Sequence, residues 1–147
     1  MDIICDIDGT VADLTHRRHY VTSKPKNWPA FNARAKHDTV IEPVAQTIRD
    51  LKKNHRVIFV SGREGTAALR ATTQDWLLKH RIAELGDYVF MRRAGDYRTD
   101  DIVKEEILDD LIARGFKPQL AFDDRDRVVA MWRRRGLICA QVAEGNF

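Results

Sequence analysis

The chain opens with Ile3-Ile4-Cys5-Asp6-Ile7-Asp8-Gly9-Thr10, and this stretch restricts the fold more than any other. A short isoleucine-rich run bounded by Gly9 reads as a strand buried on both faces, as a central parallel strand is. Two aspartates follow at its end. On an extended segment residues two apart point the same way, so Asp6 and Asp8 are expected to project together while Ile7 returns to the core. Unpaired charge cannot sit inside a sheet, so the pair marks its rim, and the rim at the carboxyl ends of the strands is where open α/β sheets bind ligands. Two carboxylates this close oppose each other's ionisation, and a hard cation is the common remedy. Mg²⁺ typically takes one or two carboxylates together with phosphate oxygens. Taken alone, an Asp-x-Asp is also what a polar strand end or a helix cap looks like, so the remaining strand ends have to decide.

Three of them carry chemistry. Val57-Ile58-Phe59-Val60 reads as a second buried strand and runs into Ser61-Gly62-Arg63, ahead of a helix expected from about 64 to 80. A hydroxyl, a glycine and a helix amino terminus make an anion site there, with Arg63 able to fork onto two phosphate oxygens. Tyr88-Val89-Phe90-Met91 is a third strand, and Arg92 at its tip is placed to meet a nucleic-acid backbone. The next helix begins near Asp100, with Val103, Ile107, Leu108, Leu111 and Ile112 as its apolar face. Asp100 and Lys104 stand one turn apart on that helix, so Lys104 could neutralise the acids with Asp100 orienting it. Gln119-Leu120-Ala121-Phe122 is the fourth strand and ends on a second acidic pair, Asp123-Asp124. A fifth strand is expected at 137–142.

Strands alternating with helices imply an α/β fold, a doubly wound and mostly parallel sheet whose strand ends share one rim. Residues 12–40 break the alternation. They mix Arg17 and other basic residues with Tyr20, Trp28 and Phe31 and read as a small cap insertion. Charge for phosphates and ring faces for bases would suit an oligonucleotide end, but the aromatics read first as the cap's own core and Arg17 as a functional residue. Length (147 residues) and apolar content (44%) suit a single domain, and a net charge of +3 permits an anionic substrate without requiring one. Cys5 and Cys139 lie in apolar runs and are expected to behave as small buried hydrophobes. No run approaches ~18 apolar residues and the first strand starts at once, so the expectation is a soluble, cytoplasmic protein without a membrane anchor.

Carboxylates for a metal, with a hydroxyl, arginines and a lysine for an anion, point to phosphoryl transfer. In their order the four motifs, Asp6-Ile7-Asp8-Gly9-Thr10, Ser61, Lys104 and Asp123-Asp124, resemble those of the haloacid dehalogenase superfamily. That resemblance implies a Rossmannoid phosphatase with Asp6 as the nucleophile that forms an aspartyl-phosphate and Asp8 as the acid and base. It further implies Mg²⁺ held by Asp6, by the main-chain carbonyl of Asp8 and by an acid of the pair Asp123-Asp124, Asp124 before Asp123. The runs 100–106, 123–125 and 128–143 are also similar to the 3′-phosphatase domain of phage polynucleotide kinase. This narrower likeness implies substrate or structural roles for Arg17, Arg63, Arg92 and Asp100, and removal of a terminal 3′-phosphate from DNA or RNA ends. No Gly-x-x-x-x-Gly-Lys-[Ser/Thr] loop occurs, so 5′-kinase activity is not expected of this chain; a separate kinase or ligase partner is compatible with the likeness but has no signal in the sequence. Two other readings are a phosphatase for nucleotides and similar small phosphomonoesters, and a non-catalytic binder of nucleic-acid ends. The second gives no reason to keep so costly an acid cluster.

Overall fold

The computed structural model describes residues 1–147. Five parallel strands form the central sheet: β1 (Asp2–Cys5), β4 (Arg56–Glu64), β5 (Tyr88–Arg92), β6 (Pro118–Asp123) and β7 (Ile138–Gln141), in the spatial order β5-β4-β1-β6-β7. Two short strands, β2 (Ala12–Asp13) and β3 (Thr39–Val40), pair antiparallel beside it. The expected doubly wound α/β fold is what the chain adopts.

Side chains alternate across the sheet as strand geometry demands. Ile3 and Cys5 of β1, with Val57 and Phe59 of β4, pack on one face against Ala45 and Ile48 of α3 (Glu42–Leu51) and Trp76 and Leu77 of α4 (Ala67–Lys79). Ile4, Ile58, Val60 and Ala121 line the other face. There they meet Leu108 and Leu111 of α5 (Asp100–Ala113) and Val128, Val129, Met131 and Trp132 of α6 (Asp126–Arg134). β1 is therefore covered on both sides, and its four residues are all buried. Both cysteines are free and buried, as expected, and burial pushes the Cys139 thiol up to about 11. No helix is long and apolar enough to cross a membrane.

From β1 the chain winds outward through β4 to β5, then crosses to β6 and β7 on the far side. The order reverses between β1 and β6, which is the switch point where such sheets leave a crevice. At that point the Asp6 amide donates to the Phe122 carbonyl (3.0 Å), so the first residue past β1 is tied to the end of β6.

Between β1 and α3 the chain leaves the sheet. The β2–β3 ladder closes the base of this excursion, and two short helices, α1 (His19–Thr22) and α2 (Trp28–Ala33), form its body. Phe31 is buried there, whereas Trp28 is 51% exposed, so the expectation that the aromatics form a local core holds for Phe31 and fails for Trp28. Two other boundaries differ from the sequence reading. β4 runs on to Glu64 and α4 starts only at Ala67, capped by Thr66, so the helix amino terminus is set back from Ser61. On α5, Ile112 is 50% exposed, and the buried stripe instead takes in Lys104.

Candidate active site

The rim between β1 and β6 gathers the acids. Asp6, Asp123 and Asp124 offer carboxylate oxygens that all lie within 4.8 Å of one another, and all three residues are buried. Lys104 reaches them from α5, its Nζ 2.7 Å from Asp6 Oδ1 and 2.8 Å from Asp123 Oδ2. Although burial opposes its charge, the carboxylates of Asp123, Asp6 and Asp100 raise its pKa and keep it protonated. Thr10 Oγ1 donates to the second oxygen of Asp6 (3.0 Å).

The three acids are not equivalent. Asp123 is fully used inside the protein: Oδ2 accepts from Lys104 and from Trp132 Nε1 (3.2 Å), and Oδ1 accepts the amides of Asp124 (3.0 Å) and Arg125 (3.2 Å). It fixes the turn after β6. Asp124, 4% exposed, has no basic partner, and burial together with the Asp123 charge pushes it up to about 6. Burial does the same to Asp6 in spite of Lys104, with Asp123 and Asp124 adding to the effect. One lysine thus serves three buried acids, and the negative charge left over is what a divalent cation would neutralise. The residues fit such an ion. Asp6 and Asp124 would supply the carboxylate oxygens, while Asp123 is held by its protein partners.

Asp8 faces elsewhere. Its carboxylate, on a side chain 25% exposed, accepts from Arg63 Nε (3.0 Å) and Nη2 (2.6 Å) and from Arg17 Nη2 (2.9 Å). Burial alone would raise this carboxyl, but the two guanidiniums outweigh it and hold it below the ordinary range. Both arginines lean on a further acid, Asp38, at the end of the β2–β3 excursion. Arg17 grips it through Nε and Nη2, each at 2.7 Å, and Arg63 Nη2 adds a contact at 3.1 Å. His16 Nε2 lies 2.7 Å from the same carboxylate, and Trp76 of α4 holds the Asp38 carbonyl (2.8 Å). Asp38 is absent from the residues singled out in the sequence. Its one legible signal is that it is the first acid after 24 residues without one.

Ser61 is fully buried, and its Oγ accepts the Arg63 amide (3.1 Å); the hydroxyl hydrogen donates to no protein acceptor. Arg92 is spent within the protein. Nε donates to the Gly62 carbonyl (2.8 Å), Nη1 to the Asp96 carbonyl (3.1 Å), and Nη2 pairs with Asp100. Asp100 in turn accepts from Arg125 (2.7 Å) and makes no hydrogen bond to Lys104. This second arginine–acid chain braces the end of β4 against the segments after β5 and β6. Two glycines allow the close approach. Gly9 has φ +79°, and a Cβ there would overlap the Asp124 carboxylate; at Gly62 it would stand 2.7 Å from Asp100 Oδ1.

The structure therefore gathers Asp6, Lys104, Asp123 and Asp124 at the ends of β1 and β6 and Asp8, Arg17 and Arg63 in an adjoining cluster, with Ser61 near the end of β4 and Arg92 and Asp100 as the frame. A family model for the phosphatase domain of the polynucleotide kinase PNKP matches residues 1–147. The chain belongs to that family. It is a phosphatase of the haloacid dehalogenase superfamily, related to the 3′-phosphatase domains of polynucleotide kinases. Chains in two structures of the Pnkp1/Rnl/Hen1 RNA repair complex are 35% and 36% identical to it. They superpose with TM-scores of 0.79 and 0.82, covering 99% of this chain and 43% and 46% of theirs. A protein of Autographa californica nuclear polyhedrosis virus is 29% identical over 134 residues, which is 17% of its length. This chain thus spans less than half of these relatives. A hydrolase from Streptococcus pneumoniae TIGR4, 18% identical with a TM-score of 0.61, shares the fold.

Proposed function

We propose that the chain is a Mg²⁺-dependent polynucleotide 3′-phosphatase that heals nucleic-acid ends through an aspartyl-phosphate on Asp6. One observation carries the reading: a buried strand-end carboxylate, Asp6, is paired with a lysine, while a second buried acid, Asp124, is left without a counter-charge. A cation held by Asp6, the Asp8 carbonyl and Asp124 would offset the charge of an incoming phosphate dianion. Lys104 orients Asp6 and works against the rise that burial imposes on it, and the Ser61 hydroxyl, which donates to no protein acceptor, is the free donor for a phosphate oxygen.

The chemistry then runs in two displacements. An Asp6 oxygen attacks phosphorus and the ester oxygen leaves with a proton; water next attacks the aspartyl-phosphate, releasing phosphate and restoring Asp6. Asp8 is the group placed to give the first proton and take the second. Its ionised resting form, held by Arg63 and Arg17, is the form that activates water. The phosphate dianion arriving beside it offsets those guanidiniums and favours the acid form needed first. A positioned acid of this kind contributes ~10²–10⁴ in rate. Substrate roles for Arg17, Arg63, Arg92 and Asp100 divide accordingly. Arg63 and Arg17 set Asp8 beside the incoming phosphate, and Arg92 with Asp100 shapes the rim. DNA and RNA ends are both candidates, the RNA repair complex among the relatives supports RNA, and a ligase is the partner class that would consume the product.

The test is phosphate release, with and without Mg²⁺, from a 3′-phosphorylated oligonucleotide, its 5′-phosphorylated isomer and a 3′-mononucleotide. Selective release from the 3′-oligomer is expected, with no transfer of the ATP γ-phosphate to a 5′-hydroxyl. Release from the mononucleotide alone would move the function to small phosphomonoesters, and no release from any of them would leave a binding module.

A further inference from the structure

Charge in this molecule is unevenly shared. Residues 14–37 hold six of the 25 lysines and arginines and none of the 22 aspartates and glutamates. The whole chain is +3, so the remainder is net negative and this small lobe is the positive one. Elsewhere many surface arginines are ion-paired, as Arg56 is with Asp2, Arg98 with Glu106 and Arg134 with Glu105, and the exposed ones that are not, such as Arg93 and Arg127, stand on segments that also carry acids. On the lobe, Arg18, Lys24, Lys26, Arg34 and Lys36 are exposed, and none takes part in an ion pair. Such a face attracts a polyanion.

An aromatic ring stands among these cations. Trp28 is 51% exposed although it is the largest apolar side chain on the lobe. Its setting is built. Asn27 caps α2 by accepting from the Ala30 amide (3.1 Å), and proline follows Trp28 in the first turn. Its ring packs edge-on against Phe31, with centroids 5.5 Å apart and planes at 88°, and Lys26 Nζ stands 6.0 Å from its centroid. The buried side of this arrangement leads straight to the reacting centre. The Phe31 ring lies 4.1 Å from the Arg17 guanidinium, which is bonded to Asp8.

We propose that this lobe docks the single-stranded polynucleotide bearing the reacting end, with Trp28 stacking a base near that end and Lys24 and Lys26 contacting adjacent phosphates. The inference rests on the phosphatase reading for which end enters the crevice, but it concerns a different surface and different residues. An acidic protein or an anionic membrane would also answer to the charge. Either could take an exposed indole flanked by lysines, but neither gives a reason for that indole to stand three contacts from a phosphoryl-transfer centre, which a polynucleotide with its end in that centre does.

The test is a binding titration that needs no turnover. Trp76 and Trp132 are buried, so quenching of tryptophan fluorescence reports on Trp28. The full chain is titrated with a single-stranded RNA of about ten nucleotides ending in a 3′-hydroxyl, with an abasic strand of the same length, and with polyglutamate. Quenching by the RNA is expected, with affinity that falls steeply with salt. Replacing Lys24→Ala and Lys26→Ala together should reduce the slope of log affinity against log salt by about 1.4, at ~0.7 per phosphate contact on a single strand. Trp28→Ala, followed by anisotropy of labelled RNA, should weaken binding by about ten-fold or more at an unchanged unfolding temperature. Equal affinity for the abasic strand or for polyglutamate, or an unchanged salt slope in the double variant, would overturn the proposal. Binding without phosphate release from any substrate would sink the phosphatase reading and leave the docking face standing. Phosphate release from oligomers without Trp28 quenching would do the reverse.

Discussion

β1 carries a buried acid at each end, and the protein treats the two differently. At the amino end Asp2 accepts from Arg56 Nε (2.7 Å) and Nη2 (2.8 Å) and from the Lys117 amide (2.8 Å), tying the starts of β1, β4 and β6 together. The Arg56 hydrogen bonds hold its carboxyl below the ordinary range. At the carboxyl end Asp6 and Asp124 share a single lysine with Asp123 and are pushed up instead. Burying a carboxylate costs free energy in either place. Where the chain supplies every partner, the acid is a staple. Where it withholds one, the acid is reserved for something that arrives from solution.

Replacing the reserved acid should separate function from fold most sharply. Asp6→Asn is expected to lower phosphate release by more than ~10³-fold, because both displacements pass through its oxygen. Its thermal unfolding should stay within a few degrees of the parent, since a repelling charge and a lysine partner are lost together. Near-normal turnover would remove Asp6 as nucleophile. Gly9→Ala comes next. A Cβ at a φ of +79° is strained, and it would push against the Asp124 carboxylate. Mg²⁺ binding by calorimetry should weaken by about ten-fold or more, and an unchanged affinity would exclude Asp124 as a ligand.

The two ends should also respond oppositely to pH. Asp124 is pushed up to about 6 in the fold, so its contribution to stability is fully present below the unfolded value near 3.8 and is lost as pH rises through about 6. Without divalent cation the unfolding temperature should therefore decline across that window. Saturating Mg²⁺ should abolish the decline, with proton release on binding near pH 6. A flat profile in both conditions would mean that Asp124 is not raised. Asp2, held below its ordinary value, contributes stability above its unfolded pKa and loses it as pH falls through the folded one. The smallest effect belongs to Asp2→Asn. With Arg56 half exposed and screened, the loss should be about 1–2 kcal/mol in denaturant unfolding, with activity per folded molecule unchanged. A large loss of turnover in the folded variant would break the contrast between the ends.

Local pattern made much of this legible. Strand β1, the alternation of its faces and the acids after β1 and β6 follow from apolar runs that stop at charges, and the parallel topology then brings Asp6, Ser61, Lys104 and Asp124 to one rim. What the pattern could not give is partnership. Arg92 reads as a backbone-contacting arginine, yet its guanidinium is consumed by Gly62, Asp96 and Asp100, a choice set by how the end of β4, the loop after β5 and the start of α5 meet. Asp38 organises Arg17 and Arg63 from 21 and 25 residues away, a contact that exists only once the excursion folds back on the sheet. Trp28 reads as a core residue because sequence shows its apolarity and not its direction. Even Asp123 and Asp124, identical and adjacent, differ in role because only one of them points at protein donors.

The account turns on phosphorus reaching an Asp6 oxygen, and that can be read directly. The Asp8→Asn variant, given an aryl phosphate whose leaving group needs no proton, should complete the first displacement and stall at the second for want of a base. Rapid acid quench and peptide mass spectrometry should find one phosphoryl group on Asp6, removed by hydroxylamine as an acyl phosphate is. A phosphoryl group on another residue, or none at any time while phosphate is released, would contradict the assignment of this strand end as the covalent centre.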